Sequence, residues 1–289
     1  MKKIRLLLVL FLAVSGIVLA QRRFGGGGEG GYISEDVRTA REVPQRSTET
    51  PMWTNPKAFE RDVFTFARLR YTSGGFDGFG FGRGGSRWNT DTPDSDLNLS
   101  YRLQQMTSMK VSPDGRYLRL TDPDLADYPF VYIVEPGALR FSEPEVVALR
   151  KYLLNGGFLM LDDFWGSQAW NVVERELKRV FPERNFTELP LTHPVYHCVF
   201  EIKAKGQVPG ISHWRGSGGE TSERGEDSAV VHHRAIFDDK GRMMVVALHN
   251  TDNGDGWERE GEEHEYFERF SEKIAYPLGI NVIFYVMTH

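Results

Sequence analysis

The chain has 289 residues, 40% of them hydrophobic, with 35 basic and 40 acidic side chains and a formal charge of −5. That length can bury a core without cross-links, and a single cysteine, Cys198, excludes an intrachain disulfide. The acidic balance argues against nonspecific nucleic-acid binding, which basic patches drive.

The first twenty residues read as a secretory signal peptide. Lys2, Lys3 and Arg5 are its basic end, Leu6 to Leu12 its apolar core, and Val18-Leu19-Ala20 a cleavage site before Gln21. The run from Leu6 to Ala20 contains Ser15 and Gly16 and is shorter than the roughly 20 residues of a bilayer span. Cleavage after Ala20 is expected, leaving no transmembrane span and a periplasmic or secreted protein. It would remove three basic residues and no acid, taking the formal charge to −8. Residues 21–59, with Gly25 to Gly31 and Pro44, Pro51 and Pro56, read as a Gly/Pro-rich flexible tail. Residues 60–289 fit a single α/β domain.

Within that domain, Val63 to Tyr71 alternates as a first strand. A glycine-rich loop follows from Ser73 to Gly85. Asp91-Thr92-Pro93 then opens a helix with Leu97, Tyr101, Leu103 and Met106 on its buried face. The loop lacks both Gly-x-Gly-x-x-Gly before a helix and a Gly-Lys-Ser/Thr ending, so it is a weak nucleotide signal. Leu118 to Leu120 predicts a short edge strand, and Pro129 to Val134 a buried strand ending at Glu135. Ser142 with Glu145 forms a capping box for a helix lined by Val146, Leu149 and Leu153 and stopped at Asn155-Gly156. Phe158 to Leu161 predicts the next strand, and Ser167 to Val180 a helix with Trp170, Val173, Leu177 and Val180 on one stripe. This alternation implies a parallel sheet. Cys198 to Lys203, Ala229 to Phe237 and Met243 to Leu248 read as strands. Two closing helices, Glu263 to Ala275 and Leu278 to Met287, are expected to divide at Pro277, with Asn281 a satisfied core amide.

In an open parallel sheet, ligands bind beyond the carboxyl ends of strands, where Asp162-Asp163 stands. The pair offers a general base or half of a metal site. Strand neighbours face opposite ways, so one acid should face the cleft while the other caps or salt-bridges. His193, in a His-Pro turn, is a third catalytic candidate; a backbone-bonded turn histidine is the alternative. Asn250 to Glu258 is dense in oxygen donors, with Asp252 and Asp255 as candidate ligands of a divalent metal, although its spacing is not that of an EF-hand. An Asx-turn loop is the plain alternative. Trp88 and Trp257 would supply a stacking wall or pack at the core edge, and Asp91, Trp165 and Asn250 complete the expected ligand-binding set. No cofactor is specified beyond a possible divalent metal.

Five segments carry a resemblance: DYPFVYIVEPG (127–137), EVVALRKYLLNGGFLMLDDFWG (145–166), FPERNFTELPLTHPVYHCVF (181–200), NTDNGDGWE (250–258) and GINVIFYVMT (279–288). Together they resemble the bacterial domain-of-unknown-function family numbered 4159, itself similar to class I glutamine amidotransferase-like and trehalose-utilisation-like α/β domains. The resemblance implies a flavodoxin-like, doubly wound, mostly parallel sheet and an exported or membrane-tethered setting, but no known reaction. In amidotransferases the corresponding strand ends in a cysteine within a Gly-x-Cys-x-Gly elbow. Here the segment is Leu161-Asp162-Asp163-Phe164-Trp165-Gly166, so no catalytic cysteine elbow and no thiolate hydrolysis of glutamine are expected. The expected function is a binding or assembly module for a small molecule, a glycan or an envelope protein. A hydrolase of carbohydrate or cell-envelope material with an Asp/His acid–base site is the alternative.

Overall fold

Alternation along the strands assigns side chains to the two faces of one sheet. The computed structural model describes residues 32–289 except 48, 60, 61 and 74–86. The predicted signal peptide and most of the glycine-rich loop lie outside the described residues. Seven strands form the sheet: β1 (Ala67–Leu69), β2 (Arg116–Leu118), β3 (Phe130–Val134), β4 (Phe158–Asp162), β5 (Thr187–Glu188), β6 (His232–Phe237) and β7 (Met243–His249). Their order is β2-β1-β3-β4-β7-β6-β5. The pairs from β2 through β7 are parallel, and β6 runs against both neighbours. The fold is therefore α/β with a mostly parallel sheet.

Phe130, Tyr132, Phe158, Met160 and Val246 point to one face, where α1 (Asp94–Met106) brings Leu99 and Leu103 and the closing helix brings Ile280 and Ile283. Val131, Ile133, Leu159, Leu161 and Val245 point to the other. There they meet Val146, Leu149 and Leu153 of α2 (Glu143–Leu154) and Val173, Leu177 and Val180 of α3 (Gly166–Val180). The capping box forms as expected: Ser142 N–H donates to Glu145 Oε2 at 2.8 Å, a cap worth about 1 kcal/mol. Asn281 is buried and satisfied, accepting from Val199 N–H and Phe200 N–H and donating to the Phe200 carbonyl.

Those bonds correct one expectation. Cys198 to Lys203 is not a strand, because the Asn281 amide takes the backbone groups that a neighbouring strand would have used. A second correction concerns the closing helices. After α4 (Ile211–Ser217) and α5 (Asn253–Glu258), they run on as α6 (His264–Tyr266), a π-helical stretch (Phe267–Ala275) and α7 (Tyr276–Thr288). Pro277 lies in the first turn of α7, just after the widened π ladder, so its missing N–H does not stop the run. On the buried face of α1, Met106 is in fact 48% exposed.

The described part of the expected tail is also not loose. Arg41 donates to the carbonyls of Pro113 and Thr50 at 2.8 and 2.9 Å. Trp53 Nε1 donates to the Val111 carbonyl at 2.8 Å, and buried Asp94 accepts from Arg46 N–H at 2.9 Å. Tyr117 N–H of edge strand β2 donates to the Arg38 carbonyl, so residues 32–59 strap an edge that would otherwise be open for pairing. Polar composition does not reveal such a strap, since its anchors are single side chains and backbone groups distant in sequence.

Candidate functional site

The carboxyl ends of β1, β3, β4 and β7 open onto a cleft of about 1630 Å³, lined by Asp91, Glu135, Asp163, Glu223, Asp252 and Asp255 among others. Four non-glycine residues adopt left-handed backbone conformations among the described residues: Asp91 (φ 64°), Glu135 (φ 47°), Asp163 (φ 55°) and Asn250 (φ 65°). Glu135, Asp163 and Asn250 each follow a strand directly, and Asp91 lies in the connection between β1 and α1. Each such conformation costs on the order of 1–3 kcal/mol and tends to accumulate where function requires it.

Arg68, fully buried in β1, holds the Asp91 connection. Its guanidinium pairs with buried Asp96 and donates to Ser95 Oγ at 2.8 Å and to the carbonyls of Trp88 and Thr90 at 3.2 and 2.9 Å. Just beyond the neighbouring strand, Glu135 accepts from Thr90 Oγ1 at 2.9 Å and pairs with Arg87.

The two acids take different places, because β4 ends at Asp162 and the chain turns left-handed at Asp163. Asp162, the last residue of β4, is wholly buried and accepts from Tyr132 Oη at 3.1 Å, Asn253 Nδ2 at 2.8 Å and Gly254 N–H at 3.0 Å. Burial pushes its carboxyl up to about 6 against those hydrogen bonds. Asp163 lines the cleft, half-buried, and Trp165 Nε1 donates to its Oδ1 at 2.9 Å. Trp165 also lines the cleft.

The expected oxygen-rich loop is largely helix. Two short helices, α4 (Ile211–Ser217) and α5 (Asn253–Glu258), sit over the strand ends. Asp252 caps α5 by accepting from Asp255 N–H at 2.8 Å. Gly254 lets the first turn of α5 approach Asp91; a Cβ there would lie 2.3 Å from Asp91 Oδ2.

Two carboxylate sets meet in this region, and both contain Asp91. One is Asp91, Asp163 and Asp252; the other is Asp91, Asp255 and Glu258. In each, one oxygen from every residue lies within 4.8 Å of the others. Three acids so close cannot all ionise at ordinary pH without a cation. Burial, then repulsion from Asp255, holds the Asp91 carboxyl well above the carboxylate range. Burial, Glu135 and Asp91 do the same to Asp163, and burial, Asp163 and Asp91 to Asp252. Glu258 is pushed up to about 10 by burial and by Asp91. The second set carries its own basic partner, since Arg259 Nε lies 3.0 Å from Asp255 Oδ1 and 2.8 Å from Glu258 Oε2.

Other expected residues take other places. Asn250 is buried, accepting from Gly166 N–H at 2.8 Å and donating to the Val230 carbonyl, so it ties the start of α3 to β7. Neither tryptophan forms a stacking wall. Trp88 packs edge-on to Tyr117 beneath Arg70, and Trp257 packs on Phe66 and Tyr132 within the core. The His193 turn is not part of the cleft. Its Nδ1 accepts from Val195 N–H, and its ring lies against Tyr285 and Phe237. Phe237 ends β6, which runs opposite to the parallel strands, so His193 sits at the end of the sheet away from the cleft. Cys198 is near that turn, its Sγ 3.2 Å from the Pro194 carbonyl. Glu135 and Glu223 join the acidic cleft, and Glu258 the buried carboxylate set beneath it, without having been singled out. The strand-end rule points to Glu135, directly after Val134, whereas Glu223 follows no periodic element.

Residues 65–287 match the family described as Domain of unknown function (DUF4159). The chain belongs to this family. A comparison with curated proteins gave no match. Among the described residues of this DUF4159 member, no helix is long and apolar enough to cross a membrane.

Proposed function

We propose that this DUF4159 domain is an exported binding module, an amidotransferase-like α/β domain whose cleft holds a small polar molecule or glycan without thiol chemistry. The observation that carries the reading is Asp163. It occupies the strained turn between a parallel strand and the next helix, the place where an amidotransferase would carry its cysteine. The order β2-β1-β3-β4 supports the flavodoxin-like affiliation, since it reverses between β1 and β3, beside the cleft. The basic and apolar N-terminal residues Lys2 to Leu12 support export.

A second reading, a hydrolase of carbohydrate or cell-envelope material, is favoured by the same geometry. A strained strand-to-helix turn is where α/β enzymes expose a reactive side chain, and a raised carboxyl suits general acid–base chemistry. In this reading Asp163 acts without His193.

Calorimetric titration of the full chain with soluble glycan and envelope fragments, followed by product analysis, separates the two. Binding that Asp163→Asn weakens, with no product formed, supports the module. Turnover abolished by Asp163→Ala would overturn it in favour of the hydrolase.

A further inference from the structure

We infer that Asp91, Asp163 and Asp252 form a site for one hard divalent cation, open to the cleft on the Asp163 side. The inference deepens the proposed binding cleft by naming what lies at its floor. It rests on that reading only for the ligand that the cation would then hold.

The three carboxylates come from the β1–α1 connection, the end of β4 and the cap of α5, and offer oxygens within 4.8 Å of one another. Asp91 supplies an independent sign of a missing partner. The residue is 4% exposed, and its Oδ2 is buried without a hydrogen bond. A buried carboxylate oxygen with nothing to accept from is costly, and Gly254 leaves room for that oxygen beside α5. A cation between the three acids satisfies it.

The neighbouring basic side chains are committed elsewhere. Arg68 serves Asp96, Ser95 and two carbonyls, Arg87 pairs with Glu135, and Arg259 lies between Asp255 and Glu258. Arg259 thus does for the second carboxylate set what the cation does for the first. That contrast selects one set of the two.

The donor set also selects the ion. Three carboxylates with no imidazole or thiolate suit calcium, magnesium or manganese rather than zinc. Such ions take about six to eight oxygens, more than three carboxylates provide in single-oxygen contacts. Asp163 is half-buried and borders the cleft, so the remaining positions face it. Oxygens of a bound ligand, such as vicinal hydroxyls or a carboxylate, would fill them.

The test is calorimetric titration of the chelator-treated full chain with Ca²⁺, Mg²⁺ and Mn²⁺ separately. Tb³⁺ luminescence excited through Trp165, which donates to Asp163, gives a second readout. One ion per chain is expected for at least one of the three metals. Asp91→Asn and Asp163→Asn should each weaken it by about tenfold or more, as lost ligand charge does, and Glu258→Gln by less than about threefold. Absence of saturable uptake, uptake unchanged in both Asn variants, or a larger loss in Glu258→Gln than in Asp163→Asn would overturn the inference. If Asp91→Asn does not fold, Asp163→Asn at the half-buried position reads the same site. Lack of metal uptake leaves ligand binding by the cleft free to be observed, whereas a metal-loaded protein that binds no fragment overturns only the module.

Discussion

Asp162, still within the pleat of β4, turns toward Tyr132 and α5, whereas Asp163, one step beyond the strand in a left-handed conformation, borders the cleft. Asp162 is thus a fastener of the site. Replacing it with Ala strips Asn253 Nδ2 and Gly254 N–H of their buried acceptor. The expected loss is about 2–4 kcal/mol, measured by urea unfolding. His233 makes a prediction with pH. Burial holds its imidazole down to about 3, below the ordinary value near 6.5. Protonation therefore favours the unfolded chain. The stabilising contribution is full above about pH 6.5 and is lost as pH falls toward 3. Between pH 6.5 and 4.5 this one group subtracts stability, so lowering the pH over that range should be more favourable to the thermal unfolding midpoint of His233→Gln than to that of the unsubstituted chain.

At the scale of elements, the cleft depends on how the connections are held rather than on the strands. Arg68 fastens residues 88–96, which carry Asp91. Arg68→Met leaves Asp96 buried without its partner, and breaking a buried pair this way costs roughly 3–5 kcal/mol. Hydrogen exchange should rise across 88–96 before it rises in β3 or β4. The strap over β2 depends similarly on Asp94, which accepts from Gln45, Arg46 and Ser47. Asp94→Ala is expected to speed proteolysis within residues 43–50 while the sheet stays folded. Unchanged cleavage there would show that the contacts at Arg41 and Trp53 suffice to hold the strap.

For the whole molecule, the gathered acids set a pH dependence opposite in sign to that of the histidine. Glu258 is raised to about 10, so the folded chain binds a proton that the unfolded chain has released. Its contribution is full below the ordinary glutamate value near 4.5 and is lost as pH rises toward 10. Asp91, Asp163 and Asp252 are raised in the same direction. Above about pH 7.5 the buried imidazole of His233 is neutral in both states and no longer offsets the acids. With chelator present, the unfolding midpoint should fall from pH 7.5 to 9, less steeply in Glu258→Gln. If the cation site is correct, added metal should raise the midpoint more at pH 8 than at pH 5, because protons compete for the same oxygens.

The elements of this protein were legible in its sequence wherever a local period or cap specifies them. Short unbroken apolar runs located β3 and β4, the capping box located α2, and one apolar stripe located α3, since all three express contacts within a few residues. The acid pair at the end of β4 was legible for the same reason, as a carboxylate placed where a parallel strand must stop. Tertiary structure decided the rest. Asn281 turned an apparent strand into coil, the strap at 32–59 found anchors as far as 84 residues away, and β6 carried the His193 turn to the end of the sheet opposite the cleft. The convergence of Asp91, Asp163 and Asp252 belongs to that class. Their oxygens meet only because β1, β3, β4 and β7 end in one row, and hydrogen bonds and repulsions between residues more than 70 apart leave no periodic trace in a single chain.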